Sequence, residues 1–444
     1  MKSSRKTEVF SKISYVTITA LLSVILSGCG SVSDVIDAAV DAENSKPGAI
    51  QVIDINGDVL ETSVDVIESA ESEEDDTYPL PAENLALAAQ NLSFSDDRNF
   101  AYHELNESAK TCYREIYAII TQHLEKVELS SRDTDEVDLA FRAVMLDNPQ
   151  IFYVKGYSIG KYMNGKMLKK IVFSGTYTMP ADKADAKAEK VDEYVRNVID
   201  NAPEGAGDYE NIKYVYDYLI RNNVYDVSAE NNQNILSVVD SGRTVCQGYT
   251  KMMQLILNDM GIFCTLVNGK ACGRNGVPDA DDLKDSKNAE WGGHVWNIVK
   301  CDGLYYNVDV TWGDAAITLM NADGTVTNDI DINYEFFLVD DASLYDTHDP
   351  EPVVTMPKCF SMEDNYYNHE GVYFTRVDEK QLRRAFESAL SEGESHVFIK
   401  ASDTDVFDAL EDHLFKNQKV FEYMGRSNVR YVEFPERDLI MISL

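Results

Sequence analysis

Apolar residues recur with helical spacing through the middle of the chain. The pattern predicts helices over residues 102–127, 136–146, 183–202 and 209–223. The sequence Asp-Asn-Pro at 147–149 is typical of a helix stop, and residues 151–154 are predicted to form a short strand. The sharpest helical pattern runs over 246–260 and ends at Gly261, a residue type that commonly terminates helices.

Alternating apolar and polar residues predict three further strands, over 262–267, 294–300 and 304–311. The Asp-Gly pair at 302–303 is typical of a type I′ turn, which makes the last two strands a hairpin and pairs Cys301 with Leu304. In this register His294 and Asp309 are diagonal neighbours on one face, roughly 7–8 Å apart between backbones. That face is predicted to be a site. The opposite face is predicted to be core and carries Val295, Val299, Leu304, Val308 and Val310.

Beyond residue 357 a smaller α+β unit is predicted. Its strands are expected near 371–375, 396–399 and 429–433, and its helices near 380–390 and 406–417. The whole chain is therefore predicted to be α+β, with helical N-terminal additions, a central core and a small C-terminal module. The expected divisions are 1–29, 30–82, 83–185, 186–350 and 355–444.

The first of these divisions has the features of an export signal. A basic stretch is followed by an apolar run over 13–26, which is too short to span a bilayer comfortably, and then by Leu-Ser-Gly-Cys at 26–29. This ending resembles the lipobox of bacterial lipoproteins, which implies a lipid on Cys29 and a location on the extracytoplasmic face of a bacterial membrane. An ordinary secretory peptide with a coincidental cysteine is the alternative.

Charge narrows the range of partners. Lys and Arg number 40 against 76 Asp and Glu, a net charge of 40 − 76 = −36, so the surface repels phosphate backbones and a nucleic-acid partner is not expected. The run 68–76 holds six carboxylates and no basic residue, which predicts that 30–82 is an extended, solvated tether. Within the tether, residues 50–64 carry the pattern of one small hairpin around Asn-Gly at 56–57.

The seven cysteines are widely spaced and form no CxxC pairs, so neither a disulfide scaffold nor a cysteine metal site is predicted. No cofactor is expected. If Cys29 is acylated and Cys246 is kept as a thiol, five cysteines are left and at least one of them is unpaired. The sequence leaves the pairing of the others open.

Three residues carry candidate chemistry. Cys246 begins its predicted helix, where unpaired backbone amides and the helix dipole stabilise a thiolate and can hold an oxyanion. His294 and Asp309 are placed to act as its base and as the carboxylate that orients the base. Taken singly, each is more often a buried or surface residue without chemistry. The second oxyanion donor is left open, with Tyr225 and Gln247 nearby in sequence.

All three tryptophans, Trp291, Trp296 and Trp312, lie in or beside the predicted hairpin. Aromatic walls can exclude water from an acyl-enzyme and shape a substrate slot, so these residues are predicted to bind substrate. Packing in the core is the alternative for each of them.

Three sequence blocks together resemble the signature of the transglutaminase-like superfamily. They are Val-Cys-Gln-Gly-Tyr at 245–249, Gly-His-Val-Trp-Asn at 293–297 and Tyr-Tyr-Asn-Val-Asp-Val-Thr-Trp at 305–312. The resemblance is strong over 209–314, extends loosely to 147–154, and does not cover the C-terminal module. It implies a papain-like fold and a catalytic triad, which by match is Cys246, His294 and Asp309.

The implied reaction is attack of a thiolate on an amide carbonyl of a protein or peptide, followed by transfer of the acyl group from a thioester to an amine or to water. The motif leaves transamidation and hydrolysis open. Substrates in keeping with the expected location are surface proteins and cell-wall peptides. The alternative function is a surface binding module with a relic triad.

Overall fold

The computed structural model describes residues 52–53, 59–60, 63–68, 92–96, 98–273, 286–314 and 332–444. Cys29, the predicted signal and most of the predicted tether lie outside these residues. Across the described ranges, no helix is both long enough and apolar enough to span a lipid bilayer. The predicted α+β class is confirmed, since the described elements form mixed sheets packed against helices.

The N-terminal part is a four-stranded sheet covered by helices. Its elements are β1 (Val52–Ile53), β2 (Val59–Leu60), β3 (Ser63–Glu68), α1 (Phe100–Glu104), α2 (Glu107–Thr121), β4 (Val127–Glu128), α3 (Thr134–Asp147), β5 (Val154–Asn164) and β6 (Met167–Tyr177). The sheet has the order β3-β5-β6-β4, while β1 and β2 pair separately with each other. Apolar residues of α1, α2, α3, β5 and β6 form one buried cluster that also includes Cys246 and Val295. The N-terminal part therefore packs directly against the segment that carries the candidate chemistry.

Several predicted boundaries here are wrong. The helix predicted over 102–127 is two helices, because the backbone of Asn106 is extended. The Asn106 side chain caps the second helix by accepting a hydrogen bond from the amide of Ala109 at 3.0 Å. The strand predicted over 151–154 begins only at Val154 and continues to Asn164. The helix stop predicted at 147–149 is confirmed, since α3 ends at Asp147.

Part of the predicted tether is ordered. The small hairpin predicted within 50–64 is confirmed by antiparallel pairing of β1 with β2. Residues 63–68, predicted to be extended and solvated, instead form β3, which pairs in parallel with β5. In the sequence Ser-Val-Asp-Val-Ile-Glu, polar and apolar residues alternate over the first four positions. This alternation is typical of a strand, although the segment adjoins the acidic run.

The central part places one helix against a second four-stranded sheet. Its elements are α4 (Ala181–Asp200), α5 (Asp208–Asn222), β7 (Val224–Tyr225), α6 (Ile235–Ser241), β8 (Arg243–Thr244), α7 (Cys246–Asp259), β9 (Cys264–Cys272), β10 (Trp291–Cys301), β11 (Leu304–Val308), α8 (Asp341–Leu344) and β12 (His348–Pro350). The sheet has the order β11-β10-β9-β12, and β7 pairs in parallel with β8. The predicted end of α7 is confirmed at Gly261, whose φ of 81° is left-handed.

The β10–β11 hairpin has the predicted register. Cys301 pairs with Leu304, and Asp302 and Gly303 both have positive φ, as a type I′ turn requires. The prediction of one core face and one site face is wrong, because both faces are covered. Trp296 and Ile298 pack in a second apolar cluster with Trp312, Phe336 and Phe263. The catalytic candidates therefore lie in a closed interior rather than on an open sheet.

The C-terminal part has its own sheet and core. Its elements are α9 (Tyr366–His369), β13 (Tyr373–Phe374), α10 (Glu379–Glu392), β14 (His396–Ala401), α11 (Thr404–Glu411), a π-helical turn (Asp412–Lys416), α12 (Val420–Met424), β15 (Arg430–Phe434), a 3₁₀ turn (Pro435–Arg437) and β16 (Leu439–Ser443). The sheet has the order β13-β14-β16-β15. The strand β16, central in this order, was not predicted. Arg437 joins this part to the central part through an ion pair with Glu335 at 3.0 Å.

Candidate active site

Cys246 is the first residue of α7. Its predecessor Val245 is extended and contributes no side-chain cap, and the Cys246 side chain is 5% exposed. Amides in the first turn of a helix have no acceptor within that helix. The thiol therefore lies beside backbone donors that can hold an oxyanion.

A close contact fixes the start of this helix. A Cβ atom on Gly248 would lie 1.9 Å from Oγ1 of Thr244 and 3.1 Å from Oγ of Ser237. These two hydroxyls are hydrogen-bonded to each other at 2.6 Å. Only glycine fits at this position, so the close approach of α7 to β8 sets the position of Cys246.

Buried polar contacts then fix α7 relative to β10. The Thr250 hydroxyl donates to the carbonyl of Val295 at 3.2 Å, and the Asn297 side-chain amide donates to the carbonyl of Thr250 at 3.1 Å. Both bonds lie one helical turn from Cys246 and within three residues of His294. The cysteine and the histidine, 48 residues apart by 294 − 246, are thereby held together.

His294 lies between the thiol and the carboxylate. Its Nε2 is 2.6 Å from Oδ2 of Asp309, and its ring lies close enough to the side chain of Cys246 for that group to help raise the pKa of the imidazole. Because Nε2 is committed to Asp309, Nδ1 is the nitrogen available to the thiol. The structure therefore brings together all three residues of the predicted triad.

Asp309 is completely buried and surrounded by donors. Its Oδ1 accepts from the amides of Thr311 and Trp312 at 2.9 and 3.0 Å, and its Oδ2 accepts from His294 and from Nε2 of His348 at 2.6 and 3.0 Å. Two donors to each oxygen satisfy an ionised carboxylate.

The sequence did not indicate His348. It begins the edge strand β12, which pairs with β9 and so places the imidazole against Asp309. Its Nδ1 is 2.9 Å from the hydroxyl of Thr347, and its ring is fully buried with its centre 4.4 Å from that of Trp312. No local sequence pattern marks this role, because it depends on a strand pairing between distant segments.

The charges of the three groups follow from their contacts. Burial alone would lower the pKa of His294, but the charge and hydrogen bond of Asp309 and those of the Cys246 side chain raise it to about 10. Burial would raise the pKa of Asp309, yet the two histidines hold it well below its ordinary range. Burial lowers the pKa of His348, against the opposing effect of Asp309. At neutral pH these directions favour an ionised carboxylate between a protonated His294 and a neutral His348.

The tryptophans divide into two groups. Trp296 and Trp312 are completely buried, and their rings pack against His294 and His348. The prediction that these two bind substrate is therefore corrected to packing around the histidines, since neither offers surface to a ligand. Trp291 is 39% exposed, and substrate contact by this residue stays a prediction.

The two residues considered as a second oxyanion donor lie in different settings. Burial raises the pKa of Tyr225, and the nearby Cys246 and Asp309 raise it further, which keeps a neutral hydroxyl close to the thiol. Gln247 is 6% exposed, and its Oε1 has no hydrogen-bond partner among the described residues.

Ligand atoms of His294, Asp309 and His348 lie within 4.8 Å of one another, a spacing that could hold a metal ion. The Nε2 atoms of both histidines are already hydrogen-bonded to Asp309, so a metal would have to replace those two bonds.

Six cysteines are buried and free of disulfides in the described part of the chain, namely Cys112, Cys246, Cys264, Cys272, Cys301 and Cys359.

Comparison with known proteins finds a family that is similar to the segment carrying this site. Residues 192–310, which include Cys246, His294 and Asp309, match the transglutaminase-like superfamily. The mouse kyphoscoliosis peptidase is 23% identical over 223 residues, covering 46% of this chain and 32% of that protein. The chain thus spans about a third of the length of that relative.

Two solved structures show weaker likeness. A transglutaminase (TGase) structure shares 12% identity over 36% of this chain and 44% of that chain, with a TM-score of 0.23. A chain described as a cysteine protease, from Cytophaga hutchinsonii, shares 12% identity over 36% of this chain and 58% of that chain, with a TM-score of 0.22. Residues 192–310 are therefore similar to the transglutaminase-like superfamily, a family of cysteine enzymes.

Proposed function

We propose that this protein is a membrane-anchored, extracytoplasmic cysteine acyltransferase or hydrolase that acts on amide bonds of protein or peptide substrates. The observation that carries the proposal is the convergence of Cys246, His294 and Asp309, which come from a helix start, a strand and a turn, with His294 hydrogen-bonded to Asp309. The likeness to a peptidase supports a peptide substrate.

The first half of the reaction uses the protonated His294 that the charges favour. The Cys246 thiolate attacks the amide carbonyl, and the electron pair of the carbonyl moves to oxygen, which then accepts hydrogen bonds from first-turn amides of α7. His294 gives its Nδ1 proton to the leaving nitrogen as the carbon–nitrogen bond breaks. A thioester on Cys246 and a free amine result.

The second half regenerates the thiolate. Neutral His294 removes a proton from an incoming amine or water, which attacks the thioester carbonyl and expels the sulfur. Asp309 holds Nε2–H of His294, so that Nδ1 stays directed at the reacting atoms throughout. His348 completes the set of donors around that carboxylate.

A labelled primary amine separates the two outcomes. The full-length chain in detergent is incubated with glutamine-containing peptides and the amine. Incorporation of the amine that disappears in Cys246→Ser indicates transamidation, whereas release of free glutamate product that disappears in the same variant indicates hydrolysis. If no amide substrate yields either product, the enzymatic proposal is refuted.

The alternative is a surface binding module with a relic triad, and thiol reactivity tests it. An active site with the charges described should be alkylated selectively at Cys246 near neutral pH, and labelling should fail in His294→Ala. Burial raises the pKa of the other thiols Cys112, Cys264, Cys301 and Cys359, which provide internal controls. Equal labelling of Cys246 with and without His294 would favour the binding module.

The membrane anchor rests on the sequence around Cys29 alone. Two or more acyl chains give stable membrane attachment, whereas one does not. Expressed in a bacterium with its leader, the chain should appear in the detergent phase after extraction, and Cys29→Ala should not. A Cys29→Ala variant that still partitions into detergent would remove the lipid anchor from the proposal.

A further inference from the structure

A cavity of about 380 Å³ lies beside the start of α7. Its walls come from α3 and β5 of the N-terminal part and from α7 and β9 of the central part. The side chains that matter here are Arg142, Lys155, Gln233, Gln247 and Lys251. Gln247 directly follows Cys246, so the cavity borders the proposed nucleophile.

The charge of the cavity is opposite to that of the chain. Arg142, Lys155 and Lys251 line it, and no Asp or Glu is among its lining residues in the described part of the chain. The net charge of the chain is −36. A locally basic concavity in such a surface concentrates anions at one place and repels them elsewhere.

Contacts hold two of these cations in place. Arg142 Nε is 2.7 Å from a carboxylate oxygen of Asp138, which lies one turn earlier on α3. The Lys251 ammonium donates to the carbonyl of Gln233 at 3.2 Å across the cavity wall. Side chains that are already oriented lose less entropy when a ligand binds.

Two side-chain amide oxygens in the same cavity lack hydrogen-bond partners among the described residues. Oε1 of Gln247 and Oε1 of Gln233 are buried and make no hydrogen bond within the described residues. Gln247 is more than nine-tenths buried and lies one helical turn before Lys251, so both side chains face the cavity from the same side of α7. A buried amide without a partner costs free energy that a bound polar ligand can recover.

We propose that this cavity binds a carboxylate side chain of the peptide substrate, close in sequence to the residue whose amide reacts with Cys246. The inference rests on the proposed function, which it deepens by naming an acidic peptide as the substrate class. The cations bind the carboxylate, and the two glutamines bind the adjacent peptide group.

The distance along α7 from Cys246 to Lys251 sets the distance on the substrate between the reactive residue and the bound carboxylate. Lys251 follows Cys246 by five residues, an axial distance of roughly 7.5 Å at 1.5 Å per residue. An extended peptide covers that distance in about two residues. The preferred substrate therefore carries Asp or Glu about two positions from its reactive residue.

The test uses glutamine-centred peptides with blocked ends and Glu, Gln or Lys two positions to either side. Binding is measured on Cys246→Ser by fluorescence anisotropy, and kcat/KM on the unaltered chain. The Glu peptide should bind about tenfold more tightly than the Gln peptide, since one charge-assisted hydrogen bond contributes about 1.5 kcal/mol. The Lys peptide should bind most weakly, and added salt should reduce the preference.

Variants that remove one positive charge test whether the preference for the Glu peptide arises in this cavity. Lys251→Gln and Lys155→Gln, one on each wall, should each reduce the Glu-over-Gln preference, while Lys166→Gln on the exposed β5–β6 turn should not. Thermal unfolding checks that each variant is folded. A series with free carboxyl termini separates side-chain recognition from recognition of the peptide end.

The outcomes of the binding and kinetic arms are distinct. Tight, Lys251-dependent binding of the Glu peptide supports the inference even if no peptide is turned over, a result that would refute the proposed catalysis alone. Turnover with equal kcat/KM for the Glu and Gln peptides would overturn the inference and leave the catalysis standing. A preference unchanged in both Lys251→Gln and Lys155→Gln would also overturn it.

Discussion

Replacing His348 with Phe tests the least expected part of the site. The change keeps an aromatic ring of similar size among the tryptophans but removes the Nε2–H that Asp309 accepts at 3.0 Å. One of the four donors around a completely buried carboxylate is then missing. The carboxylate would recover the lost bond by moving, and any movement shifts His294.

The expected magnitude follows from the hydrogen bond. A hydrogen bond to a charged group contributes about 1.5–3 kcal/mol, which corresponds to a fall in kcat/KM of roughly 10- to 150-fold if the loss appears in the transition state. KM should change little, because His348 is fully buried and does not contact substrate. The alkaline limb of the pH profile should stay near the His294 pKa of about 10, since the carboxylate is retained.

The assay is kcat/KM against pH for three variants, with thermal unfolding as a check on folding. His348→Gln keeps an N–H donor and should recover activity to within about tenfold of the unaltered chain. His396→Phe, on β14 in the C-terminal part, is the matched control and should have no effect. A folded His348→Phe variant with kcat/KM within about twofold of the unaltered chain would refute the reasoning, because the donor would then contribute less than about 0.5 kcal/mol.

Two further predictions concern the charge and the packing of the site. Asp309→Asn removes the carboxylate that contributes most to raising the pKa of His294 and leaves burial, which lowers that pKa, opposed only by the Cys246 side chain; the alkaline limb of kcat/KM should therefore move down from about 10, and an unmoved limb would contradict the ion pair of His294 with Asp309. Gly248→Ala would place a Cβ 1.9 Å from Thr244, so the free energy of unfolding should fall by about 1–3 kcal/mol and activity should be lost. Unchanged denaturant unfolding and turnover would show that α7 can shift without cost.

Local patterns predicted the hairpin and the helix that begins at Cys246 well. The Asp-Gly turn at 302–303 fixes the register of β10 with β11 through adjacent residues, and side-chain alternation then places His294 beside Asp309. The apolar stripe of α7 and its terminating Gly261 are equally local signals. These features needed no knowledge of the rest of the fold.

Contacts between distant segments explain what was missed. His348 reaches Asp309 only because β12 pairs with β9, where Asp349 lies opposite Lys270, and nothing near His348 in sequence indicates that pairing. The full length of β5 was missed because Lys, Gly and Ser interrupt its alternation, and its stability comes from pairing with β6. The basic cavity likewise draws its walls from four separate elements.

Mass spectrometry of the quenched reaction can detect the proposed thioester on Cys246. The full-length chain is mixed with a glutamine-containing peptide, quenched in acid within the first turnover and digested. The fragment that contains Cys246 should carry the mass of the peptide less ammonia, as a thioester that hydroxylamine removes, and His294→Ala should not accumulate it. Product formation with no adduct on this fragment, or with the adduct on another residue, would contradict the account.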